Sequence, residues 1–344
     1  MSASPADLPE LLPFKLDLVG RRVLWLRLSA QQREEAAFLD DRAVPANAEG
    51  GWMPLASLPP AAASGARPAD AIFHIGHCGS TLLSRVLGAW PEVQGLREPL
   101  PLRTLAEAWP LLGRPESRLS DHEAPELLGA LWSQWSRALP PHTRSVVKAT
   151  SGCNGLIAPL LERCADARAI LLDMPLRPYL ATLLKSPASV LDAASAAGER
   201  LCDLQARGHA AGVSLHALSL PQQCAMGWLA ERVRFAALAQ GAHAARVLRM
   251  DFETLLAQPE PSLQRAAAHL GLDPQGLPRA LAAAAWGRYS KAQTHDYGRD
   301  DRAHDLALAM QRHADDIAQG QAWVEAIARR EPALAAAIDA PDLR

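Results

Sequence analysis

Between residues 71 and 98 the chain carries residue types whose order suits the binding of phosphate. The short apolar run Ala71 to Ile75 has the length of a buried strand, and the tight segment Gly76-His77-Cys78-Gly79 follows it. Ser80 and Thr81 then open a stretch in which Leu82, Leu83, Val86, Leu87 and Trp90 recur at helical spacing. Strand, glycine loop, hydroxyl pair and helix together make a cradle. The glycines let backbone N–H groups converge, and a helix N-terminus adds unpaired donors and partial positive charge. The two hydroxyls add further donors. An ordinary strand-to-helix turn with Ser-Thr caps is the plainer alternative. The loop is not a Walker A sequence, because Gly79 stands where the Lys before Ser80 would be.

Two further side chains have types and positions that suggest chemistry. Glu98 lies between Arg97 and Pro99, and a residue before proline is expected to be extended. Lys148 ends the short apolar run Ser145 to Val147, and a Lys buried at a strand end is costly unless it faces a ligand. In an open α/β sheet that end is where ligands sit. Cys78 is read as a small loop residue rather than a nucleophile. The 11 histidines show no metal-ligand spacing.

These residues need a framework, and the chain is long enough for one. Its 344 residues are 49% hydrophobic and 21% charged, with a formal net charge of −2. That describes a globular chain with no bulk attraction to nucleic acid or anionic membrane. Five scattered cysteines without a C-x-x-C pair suggest reduced thiols and a cytoplasmic location. The first residues show no signal-peptide pattern, and no apolar run is long enough to span a membrane. Further strands are expected at Arg22–Leu26, Ala169–Leu172 and Arg246–Met250. Helices are expected around 31–38, within 104–140, at 222–240, and as a pair over 301–340. Trp109, Trp132 and Trp135 are candidate core or pocket-wall residues. The division expected is an N-terminal extension over 1–70, a main body over 71–300, and closing helices over 301–344.

The motif G-x-x-G-S-T-L-L-x-x-x-L, followed by Pro91, Val93 and Glu98, resembles the sulfotransferase family, and its spacing is most similar to the tyrosylprotein branch. A second segment, V-L-R-M-D-F-E-T-L-L-A-Q-P-E-P-S-L running on to H-L-G-L at residue 272, resembles that family's strand-turn-helix over more than 20 residues. The resemblance spans roughly residues 70–300. It implies an α/β, P-loop-containing three-layer fold, with a central mostly parallel sheet flanked by helices. It also implies sulfuryl transfer from phosphoadenosine phosphosulfate (PAPS) to a hydroxyl or amine acceptor, with no metal required. On the same ground Glu98 is the general base, and Lys148 with His77 stabilises the transferred group. Gly76, His77, Cys78, Gly79, Ser80 and Thr81 hold the 5′-phosphate. Ser290 and Lys291 match a nucleotide-contacting segment of the tyrosylprotein branch, with Arg288, His295 and Tyr297 as neighbours.

The sequence also departs from that family. Where its 3′-phosphate segment carries Arg and Ser, this chain has Asp173 and Ala181. Either Arg177 and Lys185 supply the charge, with Thr182 supplying the hydroxyl, or the nucleotide lacks that phosphate. Two other readings stay open: a nucleotide-binding P-loop protein without transferase activity, and a Mg²⁺-dependent kinase or NTPase using Asp173.

Overall fold

The computed structural model describes residues 8–61, 67–289 and 292–338. Three strands, β1 (Leu11–Asp17), β2 (Arg22–Arg27) and β3 (Gly50–Pro54), form an antiparallel sheet in the order β1-β2-β3. The main sheet follows, built from β4 (Asp70–His74), β5 (Val93–Arg97), β6 (Arg144–Lys148), β7 (Ala169–Asp173) and β8 (Val247–Asp251). Its order is β5-β6-β4-β7-β8, and every neighbouring pair is parallel.

Parallel pairing requires crossovers, and helices supply them. Every residue of β4, β5 and β7 is buried. Side chains alternate between the two faces of a strand, so both faces of this sheet are covered. The expected α/β fold class is therefore observed. A short pair, β9 (Arg288–Tyr289) and β10 (Ala292–Asp296), precedes two long helices, Arg299–Arg312 and Ala314–Arg330.

The topology sets the position of the ligand crevice. From β4 the chain goes to the edge strand β5, returns to β6 beside β4, and then crosses to β7 on the opposite side. The direction of winding reverses at β4. In such sheets the ligand crevice lies beyond the carboxyl ends of the strands at this reversal. The loop Gly76–Thr81 leaves β4 there.

Two features differ from the sequence expectation. The strand β5 (V-Q-G-L-R) has no apolar run, yet it is wholly buried. Gln94 accepts from Arg33 Nη1 at 3.3 Å and from Leu139 N at 3.3 Å, so its carbonyl oxygen is not left bare. Arg97, 3% exposed, donates to the carbonyls of Ala36 (2.8 Å), Arg33 (3.1 Å) and Glu34 at the end of the helix Ala30–Glu35. Burial, and then the nearby Arg85 charge, pull its guanidinium down to about 9 against the charge of Glu34. Glu98, expected to be extended, instead takes φ +54. Its N–H donates to the Lys148 carbonyl at 2.6 Å, which turns the chain off the sheet edge before Pro99. Among the described residues no helix is long and apolar enough to cross a membrane.

Candidate functional site

The loop after β4 gets its shape from left-handed residues. Gly76 has φ +94, His77 φ +51 and Gly79 φ +76. Two are glycines, for which this region carries no Cβ penalty. At Gly79 the requirement is also steric, because a Cβ there would lie 2.0 Å from the ring of Phe252. His74, at the end of β4, braces the loop. Its Nε2 lies 3.0 Å from the Ala149 carbonyl, which can only accept, so that nitrogen carries the hydrogen. Nδ1 then accepts from the Gly76 N–H at 3.0 Å. Behind the strand, Asn154 donates to the His74 carbonyl and to the Glu231 carboxylate, each at 2.9 Å. Glu231 is buried and also takes Arg200 and Arg234.

The adjacent strands β5 and β6 deliver the next pair. Their register places Arg97 opposite Lys148, so the residue after Arg97 emerges beside the lysine. The Lys148 ammonium donates to the Glu98 carboxylate. The lysine side chain is 1% exposed and the glutamate 22%. Lys148 Nζ also lies 5.7 Å from the centroid of the Phe38 ring, and the Arg42 guanidinium lies 4.5 Å from the same centroid. Positive φ at a non-glycine residue costs on the order of 1–3 kcal/mol and persists where the surroundings enforce it. Of the four such residues described, His77 and Glu98 both line the cavity discussed next.

That cavity has a volume of about 1100 Å³ and brings together His77, Gly76, Gly79, Ser80, Thr81, Glu98 and Lys148. Thr182 and Lys185 line it too. The Thr182 hydroxyl donates to the Pro178 carbonyl at 2.8 Å, and Lys185 is 3.5 Å from Asp305. Cys78 belongs to the loop, but its side chain turns inward. The thiol is fully buried, donates to the Leu172 carbonyl at 3.4 Å, and is pushed up to about 12 by burial and then by the nearby Asp173 charge. Arg177 is exposed and is not among the cavity-lining residues. Ser290 and Lys291 lie outside the described residues. Of their neighbours, Arg288, Tyr289 and Tyr297 line the cavity, while His295 does not.

Asp173 has a different setting from the one its sequence position suggested. It is 0% exposed, accepts from Arg249 Nη2 at 2.8 Å, and forms an ion pair with Arg232 Nη1 at 3.2 Å. It does not line the cavity. Its carboxylate therefore does not face the cavity, and two guanidinium groups already take its Oδ2.

Several cavity residues escaped the sequence reading. Phe38 and Arg42 come from the N-terminal extension, Asp192 from the helix Pro187–Ser195, Phe252 from the family-like segment after β8, and Trp286 from just before Arg288. Thr150, Ser151 and Gly152 also line it, one residue beyond Lys148. Their small, polar run after a strand was the one available signal.

No family model matches the sequence, and no curated protein matches it. Among solved structures, the chain is similar to the sulfotransferase domain from the curacin biosynthetic pathway. The TM-score is 0.40 and the identity 14%, over 71% of this chain and 90% of that one. It is likewise similar to the sulfotransferase domain of the Synechococcus PCC 7002 olefin synthase, with TM-score 0.40 and 14% identity over 75% and 94% of the two chains. For a sulfotransferase from Alicyclobacillus acidocaldarius the values are 0.36 and 14%, over 76% and 96%.

Proposed function

We propose that this chain transfers a sulfuryl group from PAPS to a hydroxyl or amine acceptor. The observation that carries this reading is the meeting of the Glu98–Lys148 pair with the Gly76–Thr81 loop in one cavity at the carboxyl edge of the parallel sheet. An anion-binding loop beside a carboxylate and a buried ammonium suits an in-line transfer of an anionic group. The motif resemblance in the sequence supports the choice of sulfuryl over phosphoryl transfer, and so does Gly79 at the Walker A lysine position.

The cavity's donors fit the nucleotide. The loop N–H groups and the Ser80 and Thr81 hydroxyls would hold the 5′-phosphate. Thr182 and Lys185, one turn apart and both lining the cavity, would take a second phosphate, whereas exposed Arg177 does not line it. We read residues 71–300 as the catalytic body, with 1–70 packed on it and 301–344 closing it, in a cytoplasmic protein.

In the reaction an acceptor oxygen or nitrogen forms a bond to sulfur while the bond from sulfur to the 5′-phosphate oxygen breaks. The electron pair leaves with the nucleotide as adenosine 3′,5′-bisphosphate. Glu98 takes the acceptor's proton. Lys148, drawn from Glu98 toward the sulfuryl oxygens, offsets their charge and leaves the carboxylate free as a base. His77 adds positive charge at the loop when it is protonated.

The Mg²⁺-dependent alternative needs Asp173 open to the cavity, and its two arginines argue against that. Calorimetric titration with adenosine 3′,5′-bisphosphate, 5′-AMP and Mg-ATP separates the readings. Preference for the bisphosphate is expected. Equal binding of 5′-AMP, or preference for Mg-ATP, would remove the PAPS reading.

A further inference from the structure

The charged position of the loop is filled by a side chain that can lose its charge, and a residue from a distant helix meets it. His77 Nε2 lies 3.3 Å from Asp192 Oδ2. Asp192 arrives from the helix Pro187–Ser195, and both residues line the cavity. The hydrogen bond from His77 is the main reason the Asp192 carboxyl stays below its ordinary range; Arg200 and Arg103 help, against the effect of burial.

The geometry fixes which ring nitrogen does what. An ionised carboxylate can only accept, so Nε2 must carry its hydrogen. In the neutral ring, Nδ1 is then a bare lone pair that opposes an anion. Only the doubly protonated ring presents Nδ1–H to a bound anion. Among the described residues His77 Nδ1 has no hydrogen-bond partner. Other charges around this part of the cavity have partners elsewhere. Lys148 pairs with Glu98, Arg103 with Glu107, Glu199 with Arg234, and Arg200 with Glu231.

Resting on the sulfuryl-transfer reading, we propose that Asp192 is a positioning residue that takes the Nε2–H of His77, so that the loop offers its anionic donor a titratable cation through Nδ1–H. A Lys or Arg at that position would keep its charge throughout the neutral range. A histidine in general carries its charge on the acid side of neutrality and loses it on the alkaline side. Binding of the nucleotide therefore weakens as pH rises.

The test is titration of the full chain with adenosine 3′,5′-bisphosphate at pH 5.5, 7.0 and 8.5, using wild type, His77→Arg and Asp192→Asn. The arginine variant serves as the reference for ionisation of the ligand itself. Relative to it, the wild type is expected to lose about tenfold in affinity between the extremes, the scale of one charge-assisted hydrogen bond. Asp192→Asn is expected to bind several-fold more weakly at pH 5.5 and to lose most of the pH dependence. If Asp192→Asn bound more tightly than wild type, Asp192 would be a competing anion and the proposal would be overturned. A wild-type profile parallel to that of His77→Arg would overturn it as well. If the wild type bound no bisphosphate at any pH, the PAPS reading would fall instead. Ring ¹⁵N NMR of the unliganded protein above neutral pH then decides the remaining claim. It is expected to show His77 with its hydrogen on Nε2, a preference lost in Asp192→Asn. A wild-type ring with its hydrogen on Nδ1 would overturn the assignment.

Discussion

Two acid–base clusters stand at the carboxyl edge of the same sheet, a few strands apart, and they have opposite characters. At the β5/β6 end Glu98 and Lys148 form a pair that lines the cavity. At the β7/β8 end Asp173 is sealed beneath Arg232 and Arg249 and does not line that cavity. The residue types are similar and so are the strand positions. What differs is the wall each cluster faces. Arg232 also donates to the Ala337 carbonyl at 2.8 Å, so the sealed cluster ties the C-terminal end of the chain to the sheet. The open pair has a glutamate held at positive φ and a lysine with an aromatic ring at its back. A charge at a strand end is thus a candidate for chemistry only where the fold leaves space in front of it.

The contrast makes separable predictions. The largest effect is expected at the open pair. Glu98→Gln should lower the rate of sulfuryl transfer by roughly 10²–10⁴-fold, the usual weight of a general base, and should lower stability less than loss of a fully buried partner does, because the unpaired Lys148 ammonium still faces an open cavity. Transfer of a radiolabelled sulfuryl group to a panel of hydroxyl and amine acceptors reads the first quantity, and scanning calorimetry the second. A Glu98→Gln enzyme of full activity would move the base elsewhere. Lys148→Met should cost about 10²–10³-fold, by loss of a charge that stabilises the transferred group.

At the sealed cluster the pattern should reverse. Asp173→Asn leaves two buried guanidinium groups without their counter-charge, and breaking a buried pair in this way costs about 3–5 kcal/mol. Urea unfolding should show that loss, while the bisphosphate affinity of the still-folded protein stays within a few-fold of wild type. A selective loss of nucleotide binding at unchanged stability would mean that Asp173 acts on the site after all. A smaller effect is expected at Gly79. Replacement by Ala forces a Cβ into the Phe252 ring at positive φ, costing about 1–3 kcal/mol, and it should weaken bisphosphate binding more than it shifts the unfolding curve. The smallest effect is at Cys78. With its thiol buried and pushed up to about 12, it should resist iodoacetamide at pH 8 while the exposed Cys202 reacts, as peptide mass mapping would show.

The sequence made legible those parts of this comparison that follow from local pattern. The strands β4, β6, β7 and β8 are apolar or family-like runs, and the loop Gly76–Thr81 advertises itself by glycine and hydroxyl spacing. Lys148 was found because a charge ends an apolar run. The strand β5 was not seen, since Gln94, Gly95 and Arg97 break every strand pattern; its polar groups become tolerable only against Arg33 and the carbonyls of residues 33–36. The extended backbone expected at Glu98 yielded to a hydrogen bond from its N–H to the neighbouring strand. The seal on Asp173 needs arginines 59 and 76 residues away in the chain, beyond the reach of any local rule. Asp192, Phe38 and Arg42 enter the cavity for the same reason: only the tertiary fold brings them there.

The clamp formed by Arg97 has a consequence for how this region tolerates change over time. Its guanidinium is gripped by three main-chain oxygens rather than by side chains. The identity of residue 36 is therefore nearly invisible to it, and residue 34 reaches it, beyond its main chain, only through the charge of Glu34, so position 36 is free to change provided the helical turn survives. Arg97 itself has no such freedom, because a Lys lacks the planar fork that reaches three carbonyls at once. One residue, adjacent in the chain to Glu98, thus makes the position of that carboxylate depend on the path of a distant segment while leaving much of that segment's composition open.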